Sequence, residues 1–376
     1  MGNPDSTLDL SPEHRIFRTE VSSLAEKVLK PAKDKLSPDE YIPGLITPLA
    51  DSGLLGLVIE DSWGGCGGDA LCMALAMEEF GAVDSGLAGA LSLHYLCSQA
   101  LNDSPGISFF QESLQSMARG DALGALALTE PGAGSNPEEV TCSATENSGR
   151  WSLNGNKCFV CNVDTAPMTF ILALAREAGS AEITCFLIPF PSPGITPIHR
   201  YVYLGWDTIY SWAMVLADCV VPDKQVVGPR GKGLSVIAKS MSWGRAALAA
   251  GALGLARSCC RLSIDYALER RQFSLPIIQH QAVLFRIADM ALRLEVGRTS
   301  LWKTASSEGF PDDKADMLYI FCGECAEFCS STALEVHGGL GYTVEGSIAE
   351  LYRDAKGFKL ALGTADLARI RISQTL

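Results

Sequence analysis

Residues 127–136, Ala-Leu-Thr-Glu-Pro-Gly-Ala-Gly-Ser-Asn, combine residue types that can hold a ligand through loop backbone and hydroxyl groups. Gly132 and Gly134 let backbone N–H groups come close to a bound molecule, because glycine has no Cβ. Thr129 and Ser135 add hydroxyl groups next to a predicted strand. The same Pro-Gly-Ala-Gly run is good turn chemistry, so the segment alone leaves a ligand-binding loop and a plain turn open.

Thirteen cysteines raise the question of a metal or redox centre. Cys158 and Cys161 form a C-x-x-C in a strand-like run, while Cys322, Cys325 and Cys329 recur at helical spacing. Thiols on a strand do not converge as those of a turn-borne zinc knuckle do, and no second C-x-x-C stands at zinc spacing. We therefore predict free structural thiols in a reducing compartment and no metal site.

Composition narrows the class of protein. The chain has 376 residues, is 47% apolar and carries a net charge of −13 without a run of Lys or Arg. A large core in two or three domains is expected, and nucleic acid is not an expected partner. No apolar run approaches the ~18 residues of a membrane span, and the N-terminus lacks a signal-peptide core. We expect a soluble, cytoplasmic protein.

The elements that position the candidate residues fall into three parts. The first begins with an N-cap at Ser11 before Pro12, and the glycine-rich run 63–68 is predicted to be a loop between helices. In the second part the apolar period changes to two, with a turn at 147–149 and a hairpin signal at Asn154-Gly155. Predicted helices are 43–52, 70–80, 85–101, 233–271, 277–307, 312–336, 348–356 and 366–372, and predicted strands include 170–175, 184–189 and 212–221.

The predicted fold is therefore α+β. It comprises an N-terminal helical domain over 1–123, a central antiparallel, barrel-like β domain over 124–230, and a C-terminal antiparallel bundle of the four-helix type over 231–376.

Four motifs on this plan resemble signatures of the acyl-CoA dehydrogenase family. Residues 127–136 are similar to its first signature, with Asn136 in place of Asp, and 154–162 are similar to its Asn-Gly-x-Lys-x-Trp-Ile-Thr-Asn strand. Residues 269–281 resemble its Glu-Arg-x-x-Phe … Gln segment, and 336–342 its glycine turn. The end of the chain, 353–364, resembles the terminal Arg-Asp-Ala-Lys … Glu-Gly-Thr.

The resemblance implies the acyl-CoA dehydrogenase fold, FAD as cofactor and a homodimer or homotetramer. A flavin carries the redox chemistry, and the protein holds it against a thioester and tunes it. Arg270, Phe273 and the Gly338-Gly339 turn would serve FAD across a subunit boundary. The implied FAD contacts are Leu128, Thr129, Gly134, Ser135, Phe159, Cys161, Arg270, Phe273, Gln281, Glu335, Gly338, Gly339, Thr364 and Asp366.

The catalytic base of that family is absent from both of its usual positions. The family removes a Cα proton with a glutamate that precedes the terminal Gly-Thr, and this position is Leu362. A minority of members place the glutamate before an arginine of the long helix, and here that position is Gly244. The catalytic residues are therefore unknown from sequence.

Three explanations follow from the missing base. Asp366, Glu335 or Glu345 could serve instead, although each is more simply a cofactor contact or a solvated charge. A second possibility is a reaction without Cα deprotonation, such as oxidation of a hydrated aldehyde. That role is assigned to acyl-CoA dehydrogenase-like enzymes that make aminomalonyl or hydroxymalonyl units on acyl carrier proteins, in colibactin and zwittermicin biosynthesis. The third is non-oxidative elimination or cyclisation, or oxygen activation. A scaffold without activity is a fourth reading from another class. We favour the second, in secondary metabolite biosynthesis.

The resemblance also implies contacts with the substrate. They are Ser135, Trp243, Arg245 and Gly363. Trp243 would narrow the acyl pocket toward a short polar group, and a plain helix-surface charge is the alternative for Arg245. Coenzyme A and an acyl carrier protein present the same pantetheine arm, so sequence leaves both open, together with the electron acceptor.

Overall fold

The computed structural model describes residues 10–104, 107–307 and 309–376. The N-terminal part is helical, and local signals explain where its helices begin. Ser11 accepts a hydrogen bond from the His14 N–H at 3.2 Å, so the predicted N-cap is confirmed. The helices are α1 (Pro12–Leu24), continued by a π-helical turn at Ala25–Leu29, α2 (Lys30–Lys35), α3 (Pro38–Asp51), α4 (Ala70–Val83), α5 (Ser85–Asn102) and α6 (Gln111–Ala118).

Helix α3 begins earlier than the predicted helix at 43–52. Ser37 and Glu40 form a capping box that starts the helix at Pro38, and Pro43 then lies inside it. Proline is favoured at the first position of a helix, but Pro43 lies one turn further on. The reciprocal cap is the stronger start signal here.

The middle part is one sheet. Its strands are β1 (Ala122–Ala127), β2 (Ser143–Asn147), β3 (Arg150–Cys161), β4 (Met168–Glu177), β5 (Ile183–Phe190), β6 (Ile195–Tyr201), β7 (Ser211–Pro222) and β8 (Val226–Val227). Their order in the sheet is β6-β7-β3-β2-β4-β5-β8, and β1 pairs with β4. Most pairings are antiparallel as predicted, but β1 and β2 each pair with β4 in parallel.

The predicted hairpin at Asn154-Gly155 is wrong. Both residues lie inside β3, where the register against β7 shifts between Leu153 and Gly155. Asn154 accepts from the Asp218 N–H at 2.8 Å, and a Cβ on Gly155 would lie 2.7 Å from Cys142 Cα. Asn154 and Gly155 therefore form a β-bulge in the long strand β3, and the Asn154 side chain bonds across the sheet to β7.

The C-terminal part is a helical bundle built on α7 (Gly233–Glu269), which packs against α4 and α5 of the N-terminal part and against the two long helices that follow it in the chain. Helix α7 is long and apolar enough to cross a membrane by composition, yet 78% of that apolar window is buried inside the described fold, as in a core helix. Cys322, Cys325 and Cys329 lie buried along one helix as predicted. The other elements are the hairpin β9 (Arg271–Gln272) and β10 (Leu275–Pro276), α8 (Gln281–Ala305), α9 (Asp312–His337), α10 (Ser347–Gly357) and α11 (Ala365–Ser373).

Candidate active site

The two positions that lack a base meet in the folded chain. Leu362 lies in the loop between α10 and α11, and Gly244 lies on α7. A Cβ built on Gly244 would lie 2.7 Å from Leu362 Cδ1 and 2.8 Å from Leu96 Cδ1. The leucine side chain therefore fills the space that any side chain at Gly244 would need, and the contact is apolar on both sides.

The backbone of this loop is held by polar groups from α7 and α9. Leu362 has φ 56° and Gly363 φ 97°, and a non-glycine residue in the left-handed region persists only where its surroundings fix it. The Tyr319 hydroxyl lies 2.8 Å from the carbonyl oxygens of both Ala361 and Gly363. Arg245 Nε donates to the Leu362 carbonyl at 3.3 Å. Three consecutive carbonyls are thus fixed.

Arg245 belongs to a buried charge cluster, which excludes the reading as a surface charge. It is 7% exposed, and its Nη1 lies 3.1 Å from Asp316 Oδ1. Arg371 on α11 donates to the same carboxylate at 2.6 and 2.8 Å. Burial lowers the pKa of the Arg245 guanidinium, opposed by Asp316. Burial also raises the pKa of the Tyr319 hydroxyl, which stays protonated.

Trp243 stands next to this cluster on α7. Its half-buried ring packs edge-to-face on Phe310 with centroids 5.5 Å apart and planes at 86°. Ser242 donates to Asp312 at the start of α9. The α7–α9 contact thereby fixes the indole that we expect to limit the acyl pocket.

The predicted ligand loop is fastened to β3 by groups that the sequence analysis did not single out. The Thr129 carbonyl accepts from the Cys158 N–H at 2.8 Å. Glu130 and Lys157 form an ion pair at 2.7 Å, with side chains 2% and 0% exposed. Burial alone raises the pKa of Glu130, but hydrogen bonds from Lys157 and Thr141 outweigh it and the pKa is lowered. The signal was available, since both residues are part of the resembling motifs.

Phe159 and Cys161 lie at the end of β3, where Phe159 is exposed and Cys161 is buried. Phe159 has φ 57° and is 50% exposed, and the centroids of its ring and the Tyr201 ring lie 4.4 Å apart. Cys161 Sγ lies 3.7 Å from the Phe159 carbonyl oxygen and 4.0 Å from the Tyr203 hydroxyl. Burial raises the pKa of the Cys161 thiol to about 12, so it is neutral and serves as a donor rather than a nucleophile.

A second group of predicted cofactor residues lies at the other end of α7. Helix α7 carries Arg270 about 39 Å from Gly244 at its ordinary rise per residue. Phe273 in the adjoining hairpin is 89% exposed, and Gln281 begins α8. Glu335 pairs with Arg286 at 2.8 Å. The structure does not bring this group to Leu362 within one chain.

The three alternative bases are not next to the Leu362–Gly244 contact. Asp366 pairs with Arg369 at 2.9 Å and is 88% exposed, while Thr364 caps α11 at the Leu367 N–H. Glu335 is paired on the surface, and Glu345 is exposed. Asp316, the buried carboxylate that pairs with Arg245, is shared by two guanidinium groups.

One further cluster lies outside these motifs. His14, Asp69 and Cys72 bring ligand-type atoms within 4.8 Å of one another at the start of α4. Each has a structural role as well, since Asp69 caps α4 and bonds His14 at 3.0 Å. The expectation that the chain has no metal site stays a prediction.

Comparison with known proteins decides the family. Models of the acyl-CoA dehydrogenase N-terminal, middle and C-terminal domains match residues 11–121, 125–219 and 231–376. A probable acyl-CoA dehydrogenase of Bacillus subtilis is 30% identical over 98% of this chain and 99% of its own length. The chain belongs to the acyl-CoA dehydrogenase family. It is a flavin-dependent oxidoreductase with the fold of that family, and both predictions are confirmed.

Two solved structures of this family are similar along the whole chain. The butyryl-CoA dehydrogenase of Megasphaera elsdenii is 28% identical, with a TM-score of 0.90 over 98% of this chain and 99% of its own. A prolyl acyl carrier protein oxidase is 26% identical, with a TM-score of 0.88 over 98% and 99%.

The glycines fit FAD, the cofactor of the family. A Cβ on Gly132 or Gly339 would meet no atom of the described chain within 4 Å, and neither glycine has a positive φ. The packing of this chain therefore does not require glycine at these two positions. A bound group that approaches the backbone closely would require it. Leu128, Thr129, Gly134, Ser135 and Phe159 would hold the FAD of their own chain. Arg270, Phe273, Gly338 and Gly339 would contact the FAD of a second copy, as the resemblance implies. Bound FAD supplies a hydride acceptor.

Proposed function

We propose that this protein oxidises a short, polar acyl group carried as a thioester on an acyl carrier protein. The substrate is an aldehyde in its hydrated form, and the product is a carboxylate such as an aminomalonyl-type unit for polyketide or nonribosomal peptide biosynthesis in the cytoplasm. The observation that carries the proposal is the apolar packing of the Leu362 and Leu96 side chains at Gly244. A proton leaving Cα would find no acceptor there.

The proposed reaction balances without a carboxylate base. The C–H of the aldehyde hydrate would leave as hydride, for which bound FAD would supply the acceptor. One O–H proton would pass to water, and the carboxylic acid would remain. Water accepts that proton because an O–H is far more acidic than the Cα–H of a thioester. Arg245 and Tyr319 hold the loop backbone, Leu362 presents an apolar side chain at its own position, and Trp243 limits the length of the acyl group.

The carrier protein is proposed from two supports. A structural neighbour of this chain is an oxidase of a prolyl acyl carrier protein, with a TM-score of 0.88. The missing base also fits poorly with the desaturation of ordinary acyl-CoA thioesters. A coenzyme A thioester remains the other form in which the same pantetheine arm could be presented.

We further propose a homo-oligomer in which each FAD is shared by two chains. One face of α8 exposes Leu284, Phe285, Leu292 and Val296, at 44, 57, 62 and 46%. An apolar helix face of this kind is typical of a protein interface. Since Arg270 and Phe273 lie near the start of α8, a second copy packed on this face could bring its FAD to them.

An anaerobic visible spectrum tests the reaction. Carrier-bound aminomalonate semialdehyde is added to the flavin-loaded protein, with butyryl-CoA as the control thioester. We expect bleaching of the oxidised flavin band with the semialdehyde and little change with butyryl-CoA. Rapid bleaching by butyryl-CoA alone would instead assign desaturation with a relocated base, and an unchanged spectrum with both would remove the proposed reaction.

A further inference from the structure

The charge cluster beneath the Leu362–Gly363 loop carries more positive than negative charge. Among the described residues of this cluster, Asp316, which is 1% exposed, is the carboxylate that contacts both guanidinium groups, those of Arg245 and Arg371. Arg371 is 37% exposed and partly solvated, whereas Arg245 is 7% exposed and shares its carboxylate, so an anionic partner would stabilise Arg245. Asp313 is the next acid along α9 and pairs with Lys314 at 3.3 Å, and Asp312 beside it is exposed and bonded to Ser242. Its charge is therefore screened by water.

One edge of the Arg245 guanidinium remains available. Nε donates to the Leu362 carbonyl and Nη1 pairs with Asp316. Among the described residues, no hydrogen bond uses Nη2. A Cβ built on Gly363 would lie 3.9 Å from Nη2, which places this group at the glycine turn. A buried arginine with a free donor edge is a ready site for an anionic oxygen, since such bonds are charge-assisted.

From this geometry we infer that Arg245, supported by Arg371 and limited by Asp316, binds a carboxylate on the acyl group. The inference deepens the proposed function, because the oxidation creates a carboxylate one carbon beyond Cα. The ligand class is an acyl thioester with an acidic head, and Arg245 is the residue that determines specificity for it. The open side of Gly363 leaves room for the head group, since a Cβ there would meet no atom closer than 3.9 Å.

Two acyl-CoA thioesters of equal size separate charge from shape. Malonyl-CoA carries a carboxylate where isovaleryl-CoA carries two methyl groups. Titration calorimetry on the flavin-loaded protein measures binding of each without turnover. We expect malonyl-CoA to bind about 10- to 100-fold more tightly, the range of a charge-assisted hydrogen bond.

Variants of the cluster should move this preference in opposite directions. Arg245→Gln should weaken the binding of malonyl-CoA by about the same 10- to 100-fold and leave the affinity for isovaleryl-CoA within a few-fold of the parent's. Asp316→Asn removes the negative charge and should tighten the binding of malonyl-CoA, a gain that a purely structural role would not produce. Arg245→Lys keeps the charge without the planar fork, so its affinity for malonyl-CoA should lie between those of the parent and Arg245→Gln. Lys239→Gln removes an exposed charge of the same helix and should change neither ligand.

The outcomes separate this inference from the proposed function. Equal binding of the two thioesters by the parent protein, or equal losses in Arg245→Gln, would overturn the carboxylate site. Should Arg245→Gln fail to fold, a lack of tightening in Asp316→Asn overturns it as well. Selectivity for malonyl-CoA together with an unbleached flavin in the semialdehyde experiment would support the site and remove only the proposed reaction.

Discussion

Replacing Leu362 with glutamate should restore the missing base. The loop is positioned through its backbone, because Tyr319 and Arg245 bind the carbonyls of residues 361–363 and not the leucine side chain. The Leu362→Glu variant should therefore place a carboxylate without moving the loop. Leu362 is only partly buried, so the apolar packing that it loses at Gly244 should cost about 1.5 kcal/mol or less.

The expected gain follows from general base catalysis. A positioned base contributes about 10²- to 10⁴-fold, so kcat/KM for desaturation of butyryl-CoA should rise by that order over the parent protein. The assay is reduction of an artificial electron acceptor by butyryl-CoA, followed across pH. Activity of Leu362→Glu should increase with pH as its new carboxylate ionises.

The matched control is Leu362→Gln, which has the same size and no basic group. It should stay as inactive toward butyryl-CoA as the parent. If Leu362→Glu keeps its flavin and its thermal stability yet gains no more than Leu362→Gln does, then the loop does not hold the position of the family base. The reasoning from the Leu362–Gly244 contact would then be wrong.

Two further predictions concern buried groups. Glu130→Gln leaves Lys157 fully buried without its carboxylate, and should lower the free energy of unfolding by about 3–5 kcal/mol in denaturant titrations. We also expect this variant to lose FAD. The control Glu146→Gln, on the exposed end of β2, should change neither the stability nor the FAD content. His94 is buried and hydrogen-bonded to the Leu55 carbonyl, and burial lowers its pKa from 6.5 to about 4. The unfolded chain thus binds more protons between these values, so the stability that His94 contributes is present above about pH 6.5 and is lost as pH falls toward 4, by about 3 kcal/mol. The contribution of His94 is measured by comparing the free energy of unfolding as a function of pH in the parent and in His94→Gln. An equal dependence on pH in the two proteins would contradict the prediction.

The order of the elements could be read from the chain because it rests on local chemistry. Ser11 before Pro12 marks a helix start, and the change from helical period to period two marks the β part. The errors also have local causes. Asn154-Gly155 is a strong hairpin signal when only neighbouring residues are considered. In the fold, however, the Asn154 side chain accepts a hydrogen bond from Asp218 on β7, 64 residues away, and a local sequence pattern cannot show that partner.

The sequence by itself indicated the family and the cofactor, because these depend on which residue types stand in which order. It also predicts that the family's base is absent, since Leu362 and Gly244 stand at its two expected positions. Only the tertiary structure decided that Leu362 and Gly244 touch, that Arg245 is buried, and that two arginines share Asp316. Each of these facts joins α7 to segments about 70 or more residues distant in the chain. Contact, burial and net charge at a site come from packing, which brings distant segments together, and packing decides whether a charged residue is solvated or lies in a binding site.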